Sequence, residues 1–321
     1  MKSNEPRRLI KFGNSSYIVS LPKEWIEKNN LKKGELIYMD YSKNKLVLSP
    51  MAQNYTEEEK KMTIDTKSMS LRSLRREILS AYSNNFNYFE INGNFSREAL
   101  DEIKSIISGL IGMEIVDSSK TKVIAKDYLD IRAIELEKVI RRIDNTIRSM
   151  FEELRNGLES DKFKKNNFED IYKADDTLNS LFFLVCKLSR KGLRDSEVTN
   201  LLKTTPEELS SYHWIAMNFE NIGDELKRLA RYLKESNLKG KEKERLKSLC
   251  TDIESMYLML MGAVYSKDKA LAKDIMESKK DMIEKCRSFC KNKNDSALIR
   301  ITERLEAISI LMHNISRLIL Y

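Results

Sequence analysis

The chain has 321 residues, with 57 Lys and Arg against 49 Asp and Glu, a formal charge of +8, and 41% of its residues are hydrophobic. A chain of that length and apolar share has material for two or three domains with sizeable cores. No run approaches the roughly 18 to 20 apolar residues that cross a bilayer, and the charged opening Met1 to Arg8 leads into no signal-peptide core, so a cytoplasmic protein without membrane insertion is expected.

Only 10 Gly and 4 Pro interrupt a sequence in which 33% of residues are charged, so long helices should dominate. The four cysteines, Cys186, Cys250, Cys286 and Cys290, lack C-x-x-C spacing, which favours reduced, packed thiols over a disulfide framework or a zinc knuckle. His213 and His313 have no serine or cysteine at triad spacing. Neither G-x-x-x-x-G-K-[ST] nor G-x-G-x-x-G occurs, and the sequence gives no reason to expect an enzyme.

The first fifty residues alternate apolar and polar positions in short runs. Arg7 to Phe12 and Tyr17 to Leu21 read as strands about a Gly13–Ser16 turn, and Pro22 to Asn29 or Asn30 reads as a short helix with Trp25 and Ile26 facing inward. After the turn Lys32-Lys33-Gly34 come two more strands, Glu35 to Met39 and Lys45 to Leu48. A ββαββ module this small cannot bury enough surface alone, and with no disulfide or metal to help, pairing with a second copy is the expected remedy.

Between Met62 and about Tyr128 the signals run βαβαββ: strands at 62–66, 88–92, 113–116 and 121–125, and helices at 71–83 and 97–108. Two amphipathic helices should cover one face of a small sheet. Sheets of this form bind small effectors elsewhere, but that is an analogy of fold, and nothing in these residues names a ligand.

Beyond Asp127 helical periodicity continues to the end, giving helices at about 129–157, 164–190, 206–237, 241–266, 268–291 and 295–320, with Thr205 as an N-cap. Three helices, a Gly-containing break and three more suggest a duplicated three-helix unit. The fold class is therefore α+β and multidomain: a β-rich head (1–52), a βαβαββ linker domain (57–128) and an all-α six-helix domain (129–321).

The run from Arg7 to Trp25, with its Ser20-Leu21-Pro22-Lys23 element, followed by Asn30-Leu31-Lys32-Lys33-Gly34-Glu35, resembles the AbrB/SpoVT/MazE-type swapped-hairpin DNA-binding domain. The stretches Ala174 to Leu184 and Asn218 to Leu226 are similar to the PhoU phosphate-uptake regulators, in the archaeal arrangement with an AbrB-like head. Together these resemblances imply a dimeric, DNA-binding transcriptional regulator of phosphate uptake. The alternative is a PhoU-type adaptor that acts on a phosphate transporter ATPase or a sensor kinase without touching DNA.

The head carries ten basic residues against five acidic through Pro50, and Arg7, Arg8, Lys11 and Asn14 are its candidate DNA contacts. The PhoU resemblance also implies a divalent or ferric ion held by acidic pairs four apart on a helix, which places two carboxylates on one face. Glu220 with Asp224, and Glu277 with Asp281, keep that spacing, and Asp175 and Asp176 are further candidates. Asn179 stands where a second acid would follow Asp175, and Ile310 where one would follow Glu306.

Overall fold

The computed structural model describes residues 6–42, 45–49, 59–67, 69–160, 165–236, 238–290 and 296–320. The chain divides into two compact units, Met1–Glu58 and Glu59–Tyr321.

In the first unit, strands β1 (Ile10–Phe12) and β2 (Ser16–Ile18) form an antiparallel hairpin. Helix α1 (Lys23–Lys28) follows Pro22, whose carbonyl accepts from the amides of Trp25 and Ile26. Strands β3 (Tyr38–Ser42) and β4 (Lys45–Ser49) make a second antiparallel pair. The ββαββ order is as expected, but β1 is shorter than the predicted 7–12. Continuing the register would set residues 7–9 opposite 19–21, where the chain is already turning toward Pro22 and the helix. Strand β3 also begins later than predicted, because the Lys32 amide donates to the Glu35 carboxylate at 2.9 Å and Gly34 sits at φ +93°, holding Glu35 in the turn. The connection predicted at 41–44 includes residues 43–44, which lie outside the described ones.

The second unit opens with β5 (Lys61–Asp65), α2 (Leu71–Ser83), β6 (Tyr88–Asn92), α3 (Arg97–Ser108), β7 (Met113–Ser118) and β8 (Lys122–Asp127). The sheet order is β5-β6-β8-β7, with β5 parallel to β6 and the other pairs antiparallel. Phe89, Ile91, Val123 and Ala125 alternate onto one face and pack with Leu74, Ile78, Tyr82, Ile103 and Ile107 of the two helices. Ser70 and Ser96 cap those helices, each accepting an amide three residues on.

The helical part follows in the same compact unit: α4 (Leu136–Glu159), α5 (Lys165–Gly192), α6 (Ser196–Leu201), α7 (Pro206–Glu235), α8 (Gly240–Ser266), α9 (Lys269–Glu277), α10 (Lys279–Phe289) and α11 (Ser296–Leu320). Helices α4, α5 and α7 pack mutually, as do α8, α9, α10 and α11, and α7 against α11 joins the two groups. Their apolar stripes recur every three or four residues, as in Ile143, Ile147, Met150 and Leu154 of α4 or Ile301, Leu305, Ile308, Met312 and Ile315 of α11, all buried.

Three predictions change here. The first helix starts at Leu136, not 129, because the Asp130 carboxylate captures the Arg132 amide at 3.0 Å and forms a separate 3₁₀ turn over Ile131–Ala133. The helix predicted over 268–291 is divided at Ser278, whose hydroxyl donates to the Ile275 carbonyl at 2.7 Å. Helix α6 was not expected; the Asp195 side chain caps it through the Glu197 amide. Thr205 caps α7 as expected, in a reciprocal capping box with Glu208. Among the described residues no helix is long and apolar enough to cross a membrane.

The sheet layer is stitched to the helices by a buried ion pair. Lys187 of α5, 1% exposed, meets the Asp127 carboxylate at the end of β8, 2% exposed, and lies 4.4 Å from the centre of the Tyr82 ring. The other Asp127 oxygen takes the Leu129 amide at 3.0 Å, and the Tyr82 hydroxyl donates to the Ile111 carbonyl at 2.8 Å. Gly112, at φ +87°, passes so close that a Cβ would stand 2.8 Å from Asp127 Oδ1.

Candidate functional site

The head presents its cations on an open hairpin. Arg7 and Arg8 lie on the approach to β1, Lys11 sits mid-strand opposite Tyr17, and Asn14 is in the turn after Gly13, which takes φ +67°. All four candidate residues are exposed. Apolar side chains share that exposure: Ile10, Phe12, Tyr17, Ile18, Met39 and Leu36, the last 73% exposed. Trp25 and Ile26 face inward only far enough to be half-buried, and none of residues 6–39, 46 and 48 is buried. A strand pair of three residues with both faces wet is not stable alone. Among the described residues this head has its basic strands in place and shows no buried core within one copy.

In the helical unit the structure gathers some of the predicted acids and disperses others. Asp175 of α5, 5% exposed, faces Glu220 and Asp224 of α7 across a close approach where Gly223 abuts Leu178. The group at the centre is a cation that the acid-pair pattern missed. Lys227 Nζ lies 2.6 Å from Asp175 Oδ2 and 2.9 Å from Asp224 Oδ1, while Arg228 takes the other Asp224 oxygen at 3.0 Å. Asn179, which stands where a further acid was anticipated, donates to Asp175 at 3.2 Å. The signal for Lys227 and Arg228 was present in the sequence as basic residues three and four positions after Asp224.

These residues do not fit a metal ion. Two of the carboxylates already hold the Lys227 ammonium, and among the described residues no group of three or more His, Cys, Asp or Glu is placed to hold a metal. Asp176 is exposed to one side. Glu277 and Asp281 fall on different helices, α9 and α10, because the chain breaks at Ser278; both are exposed, and Glu277 pairs with Lys273 at 3.7 Å. Asp175, Asp224, Lys227 and Arg228 form an ion-pair network between α5 and α7.

Burial, and then the neighbouring Asp224 and Asp175 carboxylates, push Glu220 up to about 7. Asp175 is also raised by burial, against the pull of Lys227. Lys227 is held above its ordinary value by Asp175 and Asp224 although desolvation opposes this. Because Glu220 binds its proton more tightly in the folded chain than in the unfolded one, its contribution to stability is full at low pH and is lost as pH rises through about 7. Glu220→Gln should therefore stabilise the fold at pH 8 by on the order of 1 kcal/mol after allowance for solvent screening, raising the thermal midpoint, and change little at pH 5. Thermal melts at both pH values check this; an equal effect at both would remove the assigned protonation.

The thiols of Cys186 and Cys286 are buried, and burial pushes them up to about 11 and about 12, as inert core groups behave.

Comparison with known proteins agrees with the reading of the head. Residues 10–56 match the family described as antidote-toxin recognition MazE, bacterial antitoxin. No curated protein matches the chain, and no solved structure does. Lys11 and Asn14 lie within the matched region, and Arg7 and Arg8 lie just before it. The likeness to the MazE antitoxin family is thus confined to residues 10–56, the stretch that carries the basic hairpin.

Proposed function

We propose that this chain is a transcriptional regulator that binds duplex DNA through a pair of N-terminal heads. The observation that carries the reading is the head itself: cationic strands exposed beside apolar side chains that the described residues of a single head leave open, within a region that matches a MazE-type family. Pairing would bury the apolar side chains and set two copies of Arg7, Arg8, Lys11 and Asn14 side by side on one surface. Phosphate neutralisation by such a surface gives affinity that falls with salt, and base contacts from Arg or Asn would add sequence preference.

The finer reading concerns phosphate. The similarity of residues 174–184 and 218–226 to PhoU proteins, together with two groups of helices joined through α7 and α11, supports a helical unit that relays phosphate-transport status, with a transporter ATPase or a sensor kinase as its protein partner. In this reading the chain is cytoplasmic and regulatory, with no catalytic chemistry of its own. Recovery of the DNA bound to the protein in cells grown in phosphate-rich and phosphate-poor medium tests both levels. Enrichment that shifts with phosphate and lies upstream of phosphate-transport genes supports the whole reading. Enrichment elsewhere removes the phosphate link alone, and no enrichment removes the DNA-binding assignment as well.

A further inference from the structure

We infer that the seam between the two helical groups holds a binding site for an amphipathic organic anion, a small carboxylate with an apolar body. This goes beyond the DNA-binding reading and does not depend on it.

A cavity of ≈ 340 Å³ opens at the end of the unit where α4 and α7 begin and where α8 and α11 finish. That volume falls in the range of about 300 to 1,000 Å³ typical of small-ligand sites, which often lie between helices of a bundle. Ile140, Ile215, Val264, Leu318 and Ile319 give it apolar walls. Leu318 and Ile319 end the apolar stripe of α11 and are only half-buried, because the cavity stands where a neighbouring helix would otherwise cover them.

The rim is charged, and its charges are unequally committed. Glu208 is occupied: it accepts the Thr205 amide at 3.1 Å in the capping box and lies 3.7 Å from Lys267 Nζ. Arg141 and Lys269 have no carboxylate partner among the described residues, and only Glu137 opposes them, so the rim is net positive.

Arg141 is also held in place. Its guanidinium lies 4.7 Å from the centre of the Tyr265 ring, and the Tyr265 hydroxyl donates to Asp144 at 2.7 Å. Asp144 is 2% exposed and is itself fixed by the Tyr257 hydroxyl at 2.9 Å and Arg148 Nε at 2.8 Å. A buried carboxylate with three donors thus fixes the tyrosine whose ring the Arg141 cation overlies. A guanidinium held by a ring and, among the described residues, by no carboxylate keeps N–H groups with which to meet an anionic head, and its fork matches a carboxylate with two parallel hydrogen bonds. Apolar walls below and a pre-positioned arginine at the mouth fit a ligand with a hydrocarbon tail and one anionic head.

Calorimetric titration of the full chain with decanoate, with decylamine as the oppositely charged control and acetate as the control for charge alone, tests the site without DNA. Saturable binding of one decanoate per chain is expected, with no binding of the two controls. Arg141→Gln and Lys269→Gln should each weaken it about tenfold, as the loss of a charge-assisted hydrogen bond does. Ile215→Trp, which fills the cavity, should abolish it. Lys269 is exposed at the first position of α9, so its variant keeps the test valid should the Ile215 variant unfold. No saturable heat with decanoate, equal binding of decylamine, or decanoate binding untouched by Arg141→Gln and Lys269→Gln would overturn the assignment. None of these outcomes bears on DNA binding.

Discussion

Replacing Arg7 and Arg8 together by alanine should weaken binding to duplex DNA by on the order of 100-fold at low salt, because a paired head loses four cations at once. The loss has a second signature. Each phosphate contact contributes roughly 0.9 to the slope of log affinity against log salt, so the slope should become shallower by about 3 to 4. Lys23→Ala is the matched control: Lys23 is exposed on α1 and already lies 3.5 Å from Glu27, so its removal should change affinity little. Fluorescence anisotropy with a labelled duplex over a salt series measures both quantities. Binding and slope that stay at the parent values would move the DNA-facing surface away from the first strand.

The second large effect lies far from the head. Asp127→Asn should destabilise the second unit by about 3 to 5 kcal/mol, because it leaves the buried Lys187 ammonium facing a neutral amide in place of its carboxylate. For a unit of this size that is a fall of roughly 10 °C in thermal midpoint. The double variant Asp127→Asn with Lys187→Met removes the buried charge as well and should recover much of the loss. The pair joins the end of β8 to the middle of α5, so the expected loss is shared by the sheet layer and the helices in one transition. A midpoint within 2 °C of the parent for Asp127→Asn would show that the pair does not hold the two layers together.

Much of this architecture was legible in the letters. The alternation Phe89-Glu90-Ile91 marked the core face of β6, and Thr205-Pro206 marked the start of α7. What stayed hidden follows from competition at single side chains. Asp130 and Ser278 carry local hydrogen bonds that interrupt helices whose apolar period runs on without a break, so periodicity placed the helices and missed two of their ends.

The acidic pairs show the limit of spacing. A spacing of four sets Glu220 and Asp224 on one face of α7, but it does not show the Lys227 ammonium that joins Asp224 to Asp175 on α5. For Glu277 and Asp281 the spacing implied one helix, and the chain makes two. The Asp127 and Lys187 pair, sixty residues apart, had no sequence signature at all.

In the head, a fifty-residue module with strands, cations and no staple must find its core elsewhere. Native mass spectrometry of the full chain mixed with a short duplex tests that claim most directly. The account predicts a species containing two chains and one duplex, with two chains persisting when the DNA is left out. Single chains that remain single and carry no duplex at low salt would contradict it.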